Sequence, residues 1–245
     1  MTDYAELFFT LGTGSHQIAY RLQENPGKDK ILLLHGLGST LKQFDREFST
    51  FAQTHSVAAL SLRGQGSSTR PEGNHPEDMK ISALASDVIE WMHAMNWSDA
   101  HIVACSMGGV VALEILRQDG TRQDGTLCKS LITFGTTPRL KLPRVLIRST
   151  AYLTDVLLPG IFPEWMARTL PKSVSDKAET RARFTEDLRT AYTRRETIYQ
   201  LRCELADYDY LQVLQQTRVP VLPANYDQPV EFINAVLQFI GGVAR

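Results

Sequence analysis

A serine that could act as a nucleophile lies between an apolar run and an apolar stretch with helical spacing. The run covers 101–105, the stretch covers 110–116, and Ser106 stands at the break between them. This arrangement predicts a strand, an abrupt turn and a helix. Ala104, Ser106 and Gly108 give the small-x-Ser-x-Gly pattern of a nucleophile elbow, in which small neighbours let strand and helix approach closely. Such a serine attacks acyl carbons, although the pattern alone also fits an ordinary strand–helix junction.

Further strand-like runs are suited to position this serine in a parallel sheet. Residues 31–34, 57–62 and 131–134 are short and mostly apolar, as is typical of strands that are buried on both faces. Apolar residues at helical spacing indicate helices over 40–53 and 81–95. Strands and helices therefore alternate along the chain, which favours one large α/β domain.

Three motifs follow these strands in order, and together they resemble the α/β-hydrolase superfamily. They are His-Gly-Leu-Gly at 35–38, Leu-Arg-Gly-Gln-Gly-Ser at 62–67 and Ala-Cys-Ser-Met-Gly at 104–108. The resemblance is greatest to small esterases, enol-lactonases and proline iminopeptidase-like members. It implies a mostly parallel sheet with helices on both faces. Ser61 departs from the family pattern, which usually has an aspartate there in a network with the arginine of the second motif.

The resemblance also implies an acyl-transfer site. Ser106 would be the nucleophile, and the oxyanion hole would consist of the backbone N–H groups of Leu37 and Met107. Preorganised donors of this kind are typically worth about 3–4 kcal/mol each in the transition state. The loop that carries the hole would be supported by His35, Gly36 and Gly38. In this family the histidine of that loop shapes it and is not the general base.

A helical cap is predicted between two parts of the core. Residues 1–138 and 211–245 would form the α/β-hydrolase core, and 139–210 would be the cap, inserted after the sixth strand. Three aromatic residues would either line the substrate pocket or pack the cap onto the core: Tyr152, Phe162 and Trp165. Residues 139–202 contain 13 Lys and Arg against 7 Asp and Glu, a surplus that either attracts an acidic substrate or partner or is simply solvated.

The histidine of a Ser-acid-His triad is missing from its place in the sequence. On this fold the order along the chain is serine, acid and histidine, yet all six histidines precede Ser106. Residues 218–222 are predicted as the seventh strand and run directly into 223–229. One crossover with its loops, about 30 residues that include the eighth strand, is therefore expected to be missing. Strand seven would then be an exposed edge through which the chain could self-associate.

Two residues are candidates to replace the missing members of the triad. His75 follows the fourth strand on the side of the active site, and as a base it would have to approach the Ser106 hydroxyl to about 2.6–3.2 Å. Asp227 follows the seventh strand, although a carboxylate there also suits the N-terminus of the last helix.

Composition argues against several classes of function. The net charge of −1 does not suit a nucleic-acid partner. The three cysteines have no paired spacing, and neither a histidine pair nor a phosphate-binding glycine motif is present, so no metal or cofactor is expected. No apolar run is long enough to span a bilayer and no basic-apolar leader begins the sequence. We therefore expect a cytoplasmic protein with a small-molecule substrate or ligand.

Three functional hypotheses follow. The first is a serine hydrolase with an incomplete triad, acting on a small ester, lactone or related acyl substrate. The second is a catalytically impaired pseudo-hydrolase that binds a small molecule without turnover. The third is a deletion product of an active parent. The missing histidine separates the first hypothesis from the second, and cooperative folding separates the second from the third.

Overall fold

The computed structural model shows one large and one small sheet, and it describes residues 4–12, 14, 16–70, 76–119, 127–158, 161–174, 178, 181–182, 185–186, 195–224 and 229–243. In chain order the strands are β1 Leu7–Thr10, β2 Gln17–Gln23, β3 Lys30–Leu34, β4 Ser56–Leu60, β5 Ala100–Cys105, β6 Cys128–Phe134, β7 Arg139–Lys141, β8 Asp207–Asp209 and β9 Val221–Pro223. The large sheet has the order β1-β2-β4-β3-β5-β6-β9, and β7 pairs with β8. The β1–β2 and β2–β4 pairs are antiparallel, and the other pairs of the large sheet are parallel.

Helices cover both faces of the large sheet. In chain order they are α1 Asp45–Phe51, α2 Ile81–Ala94, α3 Met107–Asp119, α4 Arg144–Ala151, α5 Ile161–Val174, α6 Arg195–Glu204, α7 Leu211–Gln216 and α8 Pro229–Val243. Short 3-10 helices span Leu41–Phe44 and Pro76–Met79, and a π-helix spans Tyr152–Leu157. Leu32 and Leu34 of β3 pack with α2 and α3, whereas Ile31 and Leu33 pack with α1 and α8. Successive side chains of one strand thus enter two apolar layers, which fixes β3 at the centre of the fold.

The predicted fold class is confirmed, since the sheet is mostly parallel and carries helices on both faces. The helix predicted over 81–95 corresponds to α2. The one predicted over 40–53 begins as a 3-10 turn and continues as α1, with the Thr40 hydroxyl accepting the Lys42 N–H at 3.2 Å at its start. No helix in the described part of the chain is long and apolar enough to cross a bilayer.

The large sheet ends at β9, which takes the place of the seventh strand predicted over 218–222. β9 pairs only with β6, and among the described residues no eighth strand lies beyond it. The Pro220 carbonyl and the Ala224 N–H face β6, with bonds of 2.9 and 2.7 Å, so Val221 and Pro223 turn their backbone groups to the open edge. Proline has no N–H, so the one donor on this short edge of β9 is the N–H of Val221, beside the carbonyls of Val221 and Pro223. Self-association through it stays a prediction.

The two ends of residues 139–210, here termed the cap segment, lie side by side. β7 leads out, β8 leads back, and the two pair in antiparallel register. Arg144 Nε lies 2.6 Å from Asp207 Oδ2, and Arg139 Nε lies 3.3 Å from Asp209 Oδ2. These side chains are partly exposed, so the ion pairs add little stability and the backbone ladder fixes the root of the segment.

A buried ion pair joins the helices inside the cap segment. Asp155 of the π-helix is 1% exposed, and its two carboxylate oxygens accept from Arg202 of α6 at 2.8 and 2.9 Å. The Arg202 guanidinium also lies 3.6 Å from the ring centre of Phe162 on α5. Burial raises the pKa of the Asp155 carboxyl, and the charge of Arg202 opposes that shift. Three elements of the cap segment therefore meet at one guanidinium.

The other two aromatic residues singled out in the cap segment are half-exposed. Tyr152 meets the ring of Tyr199 edge-on with centroids 6.1 Å apart, and Trp165 stacks on Phe162 at 6.0 Å. Their contacts are thus within the cap segment, and a role in lining a substrate pocket stays a prediction.

Asp155→Ala should lower the free energy of unfolding by about 3 kcal/mol, because it leaves the Arg202 charge without its buried partner. Urea denaturation followed by circular dichroism measures this loss. Arg168→Ala is the matched control, since it removes the exposed Arg168–Glu164 pair of 2.8 Å and should cost less than about 0.5 kcal/mol. Equal losses in the two variants would contradict this account of the cap segment.

Candidate active site

Ser106 lies in a sharp turn between β5 and α3, as the pattern of apolar residues predicts. Its φ is +47°, in the left-handed region that residues with a side chain rarely adopt. The Ser106 N–H donates to the Phe134 carbonyl at 2.9 Å, and the Ser106 carbonyl accepts from Gly109 and Val110 at 3.0 and 3.2 Å. A backbone of this kind costs about 1–3 kcal/mol. Here β6 on one side and α3 on the other hold it in place.

Two glycines let α3 begin close to its neighbours. A Cβ on Gly108 would lie 2.6 Å from the His35 carbonyl oxygen and closer still to the carbonyl before it. A Cβ on Gly109 would overlap the side chain of Thr136. The Thr136 hydroxyl in turn donates to the Ser106 carbonyl at 3.1 Å. The first turn of α3 is therefore docked at a distance that only glycine permits.

The loop after β3 lies directly against this elbow. A Cβ on Gly36 would be 3.4 Å from the Cβ of Ser106. Two glutamine side chains hold the loop through its backbone: Gln43 Oε1 accepts the Gly36 N–H at 3.0 Å, and Gln65 Oε1 accepts the Gly38 N–H at 3.3 Å. The amide between these two bonds is that of Leu37.

The two expected oxyanion donors both remain available. Within the described residues the Leu37 N–H has no hydrogen-bond partner. Met107 is the first residue of α3, where a backbone N–H has no partner inside its own helix. The helix dipole adds partial positive charge at the same point. Chemically, this arrangement can bind an anion or polarise a carbonyl oxygen beside Ser106.

His35 uses both of its ring nitrogens for structure. It is fully buried, and its Nε2 accepts the Leu62 N–H at 2.9 Å. Nε2 is therefore unprotonated, so Nδ1 carries the hydrogen and donates it to the Gly36 carbonyl at 2.8 Å. Burial lowers the pKa of His35 to about 4. A neutral side chain with no free acceptor ties the loop to the end of β4 and is poorly suited to take a proton from Ser106.

None of the described histidines is hydrogen-bonded to Ser106. His101 is the second residue of β5 and thus lies at the end of the strand opposite to Ser106. Its Nδ1 is 2.7 Å from Ser130 Oγ, and its Nε2 is 3.8 Å from Asp29 Oδ2. The others are His55 before β4, His16 before β2 and His93 near the end of α2. Among the described residues, the general base of a triad is therefore not provided.

The two candidate substitutes fall outside the described residues. His75 belongs to 71–75 and Asp227 to 225–228. They follow β4 and β9, which are parallel to β5 within one sheet, so the chain leaves both strands at the edge where Ser106 lies. Their roles stay predictions.

Arg63 pairs with a carboxylate that lies outside its own motif at 62–67. Its Nε donates to Asp87 on α2 at 2.6 Å, a second donor of the guanidinium completes the pair, and a third reaches the Asp78 carbonyl at 3.3 Å. Ser61, which replaces the aspartate usual in the family, instead accepts the Leu41 N–H at 3.1 Å. The carboxylate that pairs with Arg63 therefore comes from α2, 24 residues further along the chain.

Cys105, the direct neighbour of Ser106, is not a competing nucleophile. Burial raises the pKa of its thiol to about 12, so the thiol stays protonated at neutral pH. In the described part of the chain, no group of three or more His, Cys, Asp or Glu residues is placed to hold a metal ion. Between these two neighbours, Ser106 is the one that stays a candidate nucleophile.

The sequence matches a known family over three motifs and the whole of the cap segment. The family model described as alpha/beta hydrolase fold matches residues 30–212. The chain belongs to this family. Membership supports a hydrolase activity in general, and it covers the loop after β3, the elbow and both strands at the root of the cap segment.

The curated relatives match only part of this chain. Epoxide hydrolase 4 of Mus musculus is 30% identical over 86 residues, which are 35% of this chain and 23% of that protein. A putative carbamate hydrolase of Agrobacterium fabrum is 33% identical over 89 residues, which are 36% of this chain and 33% of that protein. The matched part is thus a third or less of each relative.

Solved structures show the same fold over the whole chain. A thermophilic esterase from Thermogutta terrifontis, with malate bound, superposes with a TM-score of 0.74 at 16% identity, covering 99% of both chains. An N-acyl homoserine lactonase complexed with N-butanoyl homoserine gives 0.71 at 16% identity, covering 100% of this chain and 98% of that one. A hydrolase from Pseudomonas aeruginosa gives 0.73 at 19%, covering 94% and 86%. At these identities the likeness shows the fold alone.

Three side chains at the site were not found from the sequence: Gln43, Gln65 and Thr136. Each acts through a backbone group of the loop or the elbow, and Gln43, Gln65 and Thr136 lie 7, 27 and 30 residues from the group that they hold. The available signals were weak. Gln65 lies inside the second glycine motif, and Thr136 follows a strand that ends at the same edge as Ser106.

Gly108→Ala should destabilise the protein by about 2–3 kcal/mol, because its Cβ would collide with backbone carbonyl groups that cannot move aside. Gly241→Ala is the matched control, since a Cβ there meets nothing within 4 Å and α8 should gain up to about 1 kcal/mol. Urea denaturation measures both values. A tolerated alanine at 108 would contradict the close docking of α3.

Stability should decline with acid because of two neutral buried histidines. Burial lowers the pKa of His35 and of His101 to about 4, whereas an unfolded histidine titrates near about 6.5. Below about pH 6.5 the unfolded chain therefore binds more protons than the folded one, and stability falls until about pH 4. His101→Asn, whose amide can still meet Ser130, should make the decline shallower. Urea midpoints across this pH range measure it, and an unchanged slope would contradict the assignment.

Proposed function

We propose that this protein is a serine hydrolase that transfers the acyl group of a small ester, lactone or related substrate to Ser106. The observation that carries the proposal is the left-handed backbone of Ser106, at φ +47°, with the glycine loop of Gly36 against it. Strain of this kind persists only where its surroundings fix it, and it clusters at active sites. In the proposal its purpose is to present the hydroxyl at the edge of the sheet.

The proposed chemistry uses the two free amides. Ser106 Oγ attacks the carbonyl carbon of the substrate, and the carbonyl oxygen becomes an oxyanion between the N–H groups of Leu37 and Met107. Collapse of this intermediate breaks the acyl–oxygen bond, so that the alcohol oxygen leaves with the proton given up by the Ser106 hydroxyl and the acyl group stays on Ser106. Water then attacks the acyl-serine, releasing the carboxylic acid and restoring the hydroxyl.

Removal of the proton from the Ser106 hydroxyl is the difficult step in this mechanism. His35 is neutral, buried and bonded through both nitrogens, so it does not serve as the acceptor. Solvent, or a substitute base at His75 with Asp227 as the acid, would have to take the proton. Where triad members are removed in well-studied serine proteases, the remaining site still gives about 10³–10⁴-fold over water. We therefore propose a slow hydrolase.

The proposed substrate class rests on the names of the similar structures and on the site itself. An esterase and an N-acyl homoserine lactonase share this fold over nearly the whole chain. Both names indicate substrates with an acyl–oxygen bond. A serine in such a turn, with two amide donors beside it, is suited to cleave that bond. We propose that the cap segment forms the roof of the substrate pocket and determines which of these substrates fit.

A second candidate function is binding without turnover. The observation that favours it is the end of the sheet at β9, because the described chain adds no strand to bring a histidine to Ser106. The elbow and the amides would then hold a carboxylate or ester of the same class.

Fluorophosphonate labelling of Ser106 tests the proposal. We expect slow covalent labelling of the folded chain, none in Ser106→Ala, and unchanged labelling in Ser86→Ala, which alters an exposed serine on α2. Circular dichroism and urea denaturation confirm that each variant folds. No labelling of a cooperatively folded parent chain would favour the binding function, and no labelling of an unfolded one would favour a deletion product.

His75→Ala and Asp227→Asn test the substitute residues. If His75 is the base, its removal should slow labelling by about 10²–10⁴-fold without changing stability. His93→Ala, on the exposed end of α2, is the matched control and should leave the rate unchanged. Equal rates in the parent, His75→Ala and Asp227→Asn would assign the proton to solvent.

A further inference from the structure

The loop after β3 contains a tight turn formed by Gly36, Leu37, Gly38 and Ser39. The Ser39 N–H donates to the Gly36 carbonyl at 3.2 Å and closes the turn. Gly38 has a φ of +76°, whereas Leu37 is outside the left-handed region. A left-handed glycine at the third position alone is the signature of a type II turn. The peptide between Leu37 and Gly38, here termed the middle peptide, therefore has a defined direction.

Gln65 holds the middle peptide in this direction. The Gly38 N–H donates to Gln65 Oε1 at 3.3 Å, and Gln65 is fully buried. In a type I turn the middle peptide would be reversed, so that its N–H would point to the opposite side. The hydrogen bond to Gln65 therefore stabilises the type II turn over this alternative.

The peptide before the middle peptide is held as well. The Leu37 N–H and the Gly36 carbonyl belong to one trans peptide, so they point in opposite directions. That carbonyl accepts from His35 Nδ1 at 2.8 Å and from the Ser39 N–H at 3.2 Å. Because both peptides that flank the Leu37 Cα are held, the direction of the Leu37 N–H, the proposed oxyanion donor, is fixed.

Gln65 provides an acceptor to this turn and no donor. Its Nε2 is buried and has no hydrogen-bond partner among the described residues, which is unfavourable for an amide nitrogen. A glutamate of the same shape would provide the same acceptor, so hydrogen bonding alone does not explain an amide here. What distinguishes the amide from a carboxyl group is that it carries no charge at any pH.

We propose that Gln65 is a positioning residue for the oxyanion, an inference that rests on the proposed acyl transfer to Ser106. Its neutral acceptor fixes the turn that carries the Leu37 amide and adds no negative charge near the oxyanion. Gln65 Oε1 is 3.3 Å from the amide nitrogen that follows that of Leu37. A charge on this oxygen would be at most about 10 Å from the oxyanion, as one residue of backbone and one further hydrogen bond allow.

The rate of Ser106 acetylation by p-nitrophenyl acetate, followed by the mass of the intact protein, tests this inference. Rates at several reagent concentrations give a maximal rate and a half-saturating concentration. Gln65→Met keeps the length of the side chain and removes the acceptor. It should lower the maximal rate at least about ten-fold at every pH and change the half-saturating concentration less than about two-fold, because the oxyanion develops only in the transition state.

Gln65→Glu separates the charge from the acceptor. The introduced carboxyl can keep the bond to the Gly38 N–H, and burial should raise its pKa above about 4.3, the value of an exposed glutamate. While this carboxyl is protonated, the variant should match the parent within about two-fold. As the pH rises through its pKa, the maximal rate should fall at least about ten-fold relative to the parent, because the charge repels the oxyanion. Gln215→Glu adds the same charge at an exposed position of α7 and, as the matched control, should follow the parent at every pH.

The titratable side chains around this turn do not mask that transition. Burial lowers the pKa of His35 to about 4 and raises the pKa of the Cys105 thiol to about 12. Arg63 and Arg70 keep their charge, as arginines do in proteins. Burial raises the pKa of Asp87, the partner of Arg63, and this carboxyl is present in parent and variant alike. The ratio of the two rates therefore isolates the introduced carboxyl.

Three results would overturn the inference, with urea denaturation at each pH showing which variants are folded. A Gln65→Glu rate in constant ratio to the parent rate, or a folded Gln65→Met variant acetylated like the parent, would leave Gln65 a merely structural role and the proposed function intact. A folded parent chain that is not acetylated at Ser106 would overturn the proposed function and the inference with it. If Gln65→Met does not fold, the pH profile of Gln65→Glu decides alone.

Discussion

The close approach of α3 to the loop after β3 is the contact on which the rest of the site depends. Gly108 stands against the carbonyl group of His35 at a distance that leaves no room for a side chain. To start a helix there, the chain must reverse at the end of β5, and Ser106 takes the left-handed conformation that this reversal needs. The same approach brings the loop after β3 against Ser106, since a Cβ on Gly36 would lie 3.4 Å from the Cβ of Ser106.

The part of the site that would bind the substrate oxygen is formed by other elements than the part that would transfer protons. Gln43, Gln65 and His35 hold the loop from behind, through the amides of Gly36 and Gly38, the carbonyl of Gly36 and the end of β4. All of these parts precede Ser106 or follow it within α3. In the usual order of serine, acid and histidine, the acid and the base would come from loops that follow later strands. A chain whose sheet ends at β9 can therefore retain an oxyanion site while its proton transfer is impaired.

Much of the fold could be predicted from the sequence, because its signals are local. Apolar runs such as 31–34 mark strands that are buried on both faces, and the change to helical spacing after Ser106 marks α3. The end of the sheet could be predicted as well, since the last apolar run is followed directly by the final helix. The start of that strand was predicted three residues early, because Pro220 cannot donate to the ladder.

The contacts that were not predicted join distant parts of the chain. Thr136 bonds to the Ser106 carbonyl across 30 residues, and Arg63 finds Asp87 on a helix that no motif connects to it. Asp155 pairs with Arg202 across 47 residues, and no local pattern connects the two. Such pairings depend on three-dimensional packing, which periodicity does not specify.

The most direct test of the account is the mass of the intact protein after mixing with p-nitrophenyl acetate. A strained serine with two amide donors, in a site whose described residues provide no histidine for deacylation, should accumulate an acyl-enzyme. We predict a gain equal to one acetyl group, mapped to Ser106 by peptide analysis and absent from Ser106→Ala. A folded chain that gains no acetyl group, or gains it elsewhere, would contradict the claim that the elbow and its loop form a preorganised acyl-transfer site.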